Sequence, residues 1–218
     1  MTTLPDDRSS NLTLALATHK ALRRDLLSFE RVAREPVPLS MERADRVLDC
    51  WNYFNLQLQA HHRGEDVSLW PRVRRRCDGD VVVLVTLKAR EDDHARLDDL
   101  SLCVETETMN TPDVRSAFGV SFDRFAHELR VHLDDEEGGA FPFAAQLLSP
   151  GDWDEIAVEQ RATVGIDGAA TFFPWLLDAC SEIDRSALLE SLPPPVQTLI
   201  VSKWEPSYQG RHPWRVGS

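Results

Sequence analysis

Apolar residues recur along the chain in alternating steps of three and four, the spacing that aligns side chains on one stripe of an α-helix. Ala15, His19, Leu22, Leu26 and Phe29 form a first stripe, and Val47, Trp51, Phe54, Leu58, His61 and Glu65 a second. Val83, Leu87, Arg90, His94, Leu97, Ser101 and Val104 form a third, and Phe118, Phe122, Phe125, Leu129, His132 and Glu136 a fourth. Breakers separate them: Pro36 and Pro38 ahead of Ser40, Cys77-Asp78-Gly79 ahead of a valine run, and Asn110-Thr111-Pro112, where Thr111 caps and Pro112 suits a first helical turn. The β-branched run from Asp80 to Leu87 has the composition of a strand, but its periodicity continues unbroken to Val104, so it reads as helix. Four stripes joined by short connections predict an all-α fold, an antiparallel up-down four-helix bundle over residues 11–148. A loose arm at 1–10 precedes it, and a helical to irregular C-terminal extension at 149–218 follows.

That extension opens with a helix-start signal, Ser149-Pro150-Gly151-Asp152, and carries Phe172-Phe173-Pro174-Trp175 and Leu192-Pro193-Pro194-Pro195 followed by an apolar stretch to Trp204. So many large apolar groups require a surface to pack on. A face or end of the bundle is the expected one, with a homodimer contact or a lid over a pocket as the alternatives.

The stripes are not wholly apolar. Four histidines and two glutamates occupy positions that the pattern assigns to the core, where each unpartnered polar group costs about 1–3 kcal/mol. Their order repeats: His19, then His61 with Glu65 at i+4, and again His94, then His132 with Glu136 at i+4. Each glutamate is followed by an aromatic-proline pair, Trp70-Pro71 and Phe141-Pro142, as a duplicated helix pair would give. An i+4 step turns roughly 400 degrees, so imidazole and carboxylate lie one above the other on a single face. Singly, each histidine reads as a satisfied core residue and each His-x3-Glu as a surface ion pair. Six in register read as metal ligands, and a nitrogen and carboxylate donor set without thiolate suits iron or manganese. Six ligands cannot saturate two octahedral ions, so open positions are inherent in the count.

His62 lies about 100 degrees off the stripe, as an extra ligand or a group just behind the ligands. Arg90, Asp66 and Glu137 are expected beside the ligands in the same sense. His127 points away from the core, and His212 has no assigned role. A ferritin-like site needs two Glu-x-x-His motifs. Glu91 with His94 supplies one, but Glu128 and His132 stand four apart and supply no second.

The segments His19-Lys20-Ala21-Leu22-Arg23, His61-His62-Arg63-Gly64-Glu65 with Leu69-Trp70-Pro71, Asp93-His94, and His132-Leu133-Asp134-Asp135-Glu136-Glu137 with Phe141-Pro142 resemble the hemerythrin-like, or HHE cation-binding, family. The resemblance implies a bundle around two iron ions with an oxo or hydroxo bridge, held by His19, His61, Glu65, His94, His132 and Glu136. Oxygen-carrying members place a second histidine four residues from the third-helix one. Those places here hold Arg90 and Asp98, which favours turnover of hydrogen peroxide, oxygen or nitric oxide over reversible oxygen carriage. The alternatives are a non-enzymatic oxygen or iron sensor or store, and an oxygenase or oxidase of an organic substrate.

Composition narrows the partners. The formal charge is -12, with 36 acidic against 24 basic residues, which disfavours a nucleic-acid partner. The run Arg72 to Arg76 reads as a solvated helix end with its cations against the negative pole of the dipole. Four dispersed cysteines without a CxxC pair, no signal-peptide pattern and no long apolar run predict a cytoplasmic protein with no membrane partner, and the partner that the family resemblance implies is a small diatomic or peroxide ligand.

Overall fold

A computed structural model describes residues 10–110, 113 and 118–210, and among them all regular structure is helical. Helices α1 (Ser10–Ala33), α2 (Met41–Gly64), α4 (Val81–Asn110) and α5 (Val120–Asp135) are the long elements that carry the four stripes. Short helices α3 (Trp70–Arg76) and α6 (Phe141–Leu147) continue α2 and α5. The chain then runs through α7 (Pro150–Asp178), α8 (Glu182–Glu190), α9 (Pro194–Leu199) and α10 (Glu205–Gly210). The capping proposed for Thr111 and Pro112, the arm at 1–9 and His212 lie outside the described residues.

The boundaries have local causes. Ser40 Oγ accepts from the Arg43 N–H at the start of α2. Asp78 and Gly79 both adopt positive φ, which turns the chain sharply ahead of α4. Asp80 Oδ1 then accepts from the N–H groups of Val82 and Val83, so an N-terminal cap starts the β-branched run as helix. Ser149 and Asp152 form a reciprocal capping box at the start of α7.

α1 touches α2 and α5, α2 touches α4, and α4 touches α5, so the four long helices close a ring of contacts. Inside it lies an aromatic cluster in which Phe29, Trp51, Phe54, Phe118, Phe122 and Phe125 are buried. Phe29 stacks on Phe118 with centroids 5.0 Å apart, and Trp51 meets Phe125 edge to face at 5.4 Å. Each such side chain removed from water contributes about 1.5–3 kcal/mol. Ser101 and Asn55 are buried beside them and satisfy one another through a 2.9 Å hydrogen bond. His127 is exposed, as the pattern requires.

Where each aromatic-proline pair meets the preceding helix, the backbone widens. The Trp70 N–H donates to Glu65 O, and the Phe141 N–H donates to Glu136 O, both five residues back. A proline has no N–H, and its ring clashes with the carbonyl four residues earlier in a regular helix. Inserting one π-helical turn, Glu65–Leu69 and Glu136–Ala140, relieves the clash without ending the helix. Each widened turn begins at one of the two stripe glutamates.

α7 passes over the ring in two pieces, because Gly165 (φ 62, ψ -177) breaks it at a conformation open to glycine. The first piece places Trp153 and Ile156 in a second buried cluster with Trp70, Val73 and Phe141. The second places Trp175, Leu176 and Leu177 in the main cluster with α1. The Trp175 Nε1–H donates to Asp25 Oδ2 at 2.7 Å, and Arg24 donates to the Trp175 carbonyl. The arginine run is exposed at Arg75 and Arg76, as a solvated helix end would be, but not at Arg72, which corrects the sequence expectation there. Arg72 is buried, where it donates to Ser68 O and to both carboxylate oxygens of Glu159, while Arg76 pairs with Asp152 at 2.9 Å. These cations fasten α7 to the widened turn that starts at Glu65. Among the described residues, no helix is long and apolar enough to cross a membrane.

Candidate metal centre

α1 supplies His19, α2 with its widened turn supplies His61, His62 and Glu65, α4 supplies His94, and α5 with its widened turn supplies His132 and Glu136. All but half-buried His61 are buried. The structure brings the seven into overlapping sets whose ligand atoms lie within 4.8 Å of one another: His19, His61, Glu65 and Glu136; Glu65, His94, His132 and Glu136; and His62, His94 and His132.

The glutamates belong to two sets because each splits its oxygens between them. Glu65 Oε1 stands 3.5 Å from His61 Nε2, and Glu65 Oε2 stands 3.5 Å from His94 Nε2. Glu136 Oε2 is 3.3 Å from His19 Nε2, while its Oε1 is 3.3 Å from His132 Nε2 and 3.6 Å from His94 Nε2. Neither oxygen of either glutamate makes a hydrogen bond within the described residues, nor do His94 Nε2 and His132 Nε2. Ligand atoms about 2.1 Å from one ion, at right angles, stand about 3 Å apart, so these separations match groups set around cation-sized gaps. The residues present therefore fit bound metal, with Glu65 and Glu136 each facing histidines from both halves of the chain.

Carboxylates behind the rings fix which nitrogen faces inward. His19 Nδ1–H donates to Glu137 Oε1 at 2.9 Å, and His94 Nδ1–H donates to Asp66 Oδ1 at the same distance. His132 Nδ1 lies 3.7 Å from Asp93 Oδ2. A proton held at Nδ1 leaves the Nε2 lone pair free to point at the centre. Further cations hold these carboxylates: Arg23 donates to Glu137 Oε1 at 2.6 Å, and Arg90 pairs with Asp93 Oδ2 and Asp135 Oδ2, each at 2.9 Å. Arg90 thus stands behind His132 and is not among the donors, since a guanidinium has no lone pair to offer. Asp98 is exposed and is not among the clustered donors.

Electrostatics follow from burial and crowding. Burial drives His61 and His62 well below the ordinary imidazole range, and neighbouring histidines add to the effect. Burial also opposes charging of His19 and His94, but Glu136 with Glu137, and Asp66 with Glu136, outweigh it and raise both, His94 to about 9. Glu65 is held well above the usual carboxylate range by burial and then by the charge of Glu136. Burial also opposes ionisation of Glu136, yet the imidazoles of His19 and His94, and then of His132 and His61, bring it well below that range. Two carboxylates this close cannot both stay charged without a cation between them.

The aromatic residues of the two aromatic-proline pairs pack together beside His19. In each widened turn the N–H of the aromatic residue bonds to the carbonyl of the glutamate, which seats Trp70 above Glu65 and Phe141 above Glu136 along the helix. Both are buried, with centroids 6.1 Å apart, and Phe141 also lies 5.2 Å from the His19 ring. Sequence periodicity did not show Asp93 as the partner of His132. A signal was available, since Asp93 precedes His94 by one residue and follows Arg90 by three.

No curated protein and no solved structure matches the chain. Residues 12–144, which hold all seven clustered side chains and the three carboxylates behind them, match the Hemerythrin HHE cation binding domain, and the chain belongs to that family.

Proposed function

We propose that this protein is a di-iron protein that binds a small oxidant, hydrogen peroxide, oxygen or nitric oxide, and turns it over. His19 and His61 hold one ion, His94 and His132 the other, and Glu65 and Glu136 bridge the two. One observation carries the reading: two buried glutamates present one oxygen each to both histidine pairs, and none of the four oxygens has a hydrogen-bond partner among the described residues. Buried carboxylates left so would be strongly destabilising, and a pair of cations removes the cost. An antiparallel up-down course of α1, α2, α4 and α5 agrees with their ring of contacts and with the ligands meeting at one depth.

Bound iron supplies a Lewis acid and an electron donor to the oxidant. The protein's own groups do the rest. Glu137 and Asp66 fix the His19 and His94 rings through Nδ1, and both carboxylates are partly exposed. They reach from buried imidazole to solvent and hold the Nδ1 protons of the two ligand rings in place. Buried His62 has no such access. Trp70 and Phe141 keep water from one end of the site.

Elemental analysis of purified protein, its visible absorption and oxygen release from added hydrogen peroxide test the reading. Two irons per chain and rapid oxygen release, both lost in His61→Ala, are expected. A stable coloured adduct without turnover would replace catalysis by sensing or storage, and failure to take up iron would remove the reading altogether.

A further inference from the structure

The widened turn Glu65–Leu69 carries two groups of the metal centre, Glu65 itself and Asp66, which orients His94. Its own hydrogen bonding is incomplete, since Pro71 supplies no N–H to the carbonyls before it. An external brace makes up for this. Arg72 donates through Nη1 to Ser68 O within the turn at 2.9 Å, and the same guanidinium donates to Glu159 Oε2 at 2.9 Å, Glu159 Oε1 at 2.7 Å and Glu155 Oε2 at 3.3 Å. Arg72 first, and then Ser68, hold the Glu159 carboxyl below its ordinary range, so the turn and α7 share one polar network. α7 also approaches the backbone just ahead of the turn, where a Cβ on Gly64 would stand 3.2 Å from the Gln160 side-chain nitrogen. Trp153 and Ile156 seat this first piece of α7 beside Trp70, and the break at Gly165 lets the chain leave it for the main cluster. In the second half Phe143 stands where Arg72 stands in the first, and it has no charge to offer.

Resting on the metal-binding reading above, we propose that Arg72 and Glu159 are positioning residues for the metal centre, bracing the widened turn so that Glu65 faces both histidine pairs and Asp66 meets His94. Their effect passes through the backbone. The Trp70 N–H closes the turn on Glu65 O, so a displacement at Ser68 O is carried to the residue that anchors the carboxylate. Glu65 must place one oxygen 3.5 Å from His61 Nε2 and the other 3.5 Å from His94 Nε2 at the same time, and a small rotation of its backbone spoils one of the two. Glu159 lies beyond residues 12–144, so the C-terminal extension sets how tightly the conserved domain holds metal.

The test is an anaerobic titration of ferrous iron into chelator-stripped full-length protein, read against a competing chelator at a temperature far below the melt. Glu155→Ala combined with Glu159→Ala removes the α7 side of the brace at two exposed helical positions, where alanine is well tolerated. Iron should bind about tenfold more weakly, the low end of the scale for groups behind metal ligands. Exchange of the Trp70 amide hydrogen should quicken in the metal-free variant, because that N–H closes the turn on Glu65 O. Arg72→Lys keeps the charge but loses the fork that reaches Ser68 and Glu159 together, so it should weaken iron in the same direction and covers the case in which the double variant fails to fold. A merely structural contact would lower the melting temperature and leave iron affinity untouched, and wild-type affinity in either folded variant would overturn the proposal, as would unchanged Trp70 exchange. If wild type itself binds no iron, the metal-binding reading falls and the brace falls with it, so the two failures are distinct.

Discussion

Glu65→Gln separates what the site contributes to folding from what it contributes to metal binding. In the metal-free protein, burial and the neighbouring Glu136 favour the protonated form of Glu65. A glutamine amide has nearly the shape of a protonated carboxyl and carries no charge, so it reproduces what the folded metal-free protein already contains. Metal-free stability should therefore change by no more than about 1 kcal/mol, within the spread of a conservative substitution. The loaded protein should behave differently. Free metal at about a thousand times its dissociation constant stabilises the folded state by about 4 kcal/mol. At about 2–4 °C per kcal/mol for a chain of this size, loading should raise the wild-type melting temperature by about 8–16 °C. On the two-iron reading Glu65 faces both ions, so the variant should lose most of that increment. Thermal melts of stripped and iron-loaded protein, for wild type and variant, give the four numbers needed. A variant that melts far below wild type without metal, yet keeps the full increment on loading, would refute the reasoning, because Glu65 would then be a structural group and no ligand.

Glu137→Ala removes the acceptor behind His19 and should weaken iron binding by about 10–100-fold while leaving the helical content unchanged, as read by chelator competition and circular dichroism. Trp175→Phe keeps the ring on α1 but strips Asp25 of a 2.7 Å donor, and should cost about 1–3 kcal/mol in urea unfolding. Asp152 is held at about 2, below its ordinary 3.8, first by Arg76 and then by Ser149. Its stabilising contribution is therefore complete above about 4 and lost as pH falls toward 2, and melts between pH 5 and 2 should fall less steeply for Asp152→Asn than for wild type.

Much of this centre was legible in the alternation of three and four, because the same periodicity that buries Phe122 and Leu129 also buries His132 and Glu136 on one face. The pattern broke down where backbone chemistry intervenes. It located Glu65 and Trp70 but not the widened turn between them, since a missing N–H at Pro71 alters hydrogen bonding without altering polarity. Arg72 was misread for a related reason. Its burial depends on Glu155 and Glu159 of α7, which arrive from far along the chain and leave no mark on local spacing. His62 was ambiguous because an offset of about 100 degrees places a side chain on the flank of a stripe, and only the packing of α4 and α5 decides whether that flank faces the centre.

The duplicated pattern also explains why the two halves act as a single unit. The carboxylate next to each stripe glutamate does not serve its own half: Asp66 holds His94, and Glu137 holds His19. The stripe glutamates cross in the same way, since Glu136 faces His19 and Glu65 faces His94. A helix pair alone would lack one glutamate and the carboxylate that orients its first histidine, so it offers no complete place for even one ion. Metal binding therefore requires both pairs to be folded and docked, and the free energy of binding adds to that docking. The Arg72 contacts carry the coupling further, because they tie α7 to the turn that begins at Glu65. On the two-iron reading, removing iron should loosen the seam between the two pairs, and with it the grip of α7, before it loosens either pair within itself.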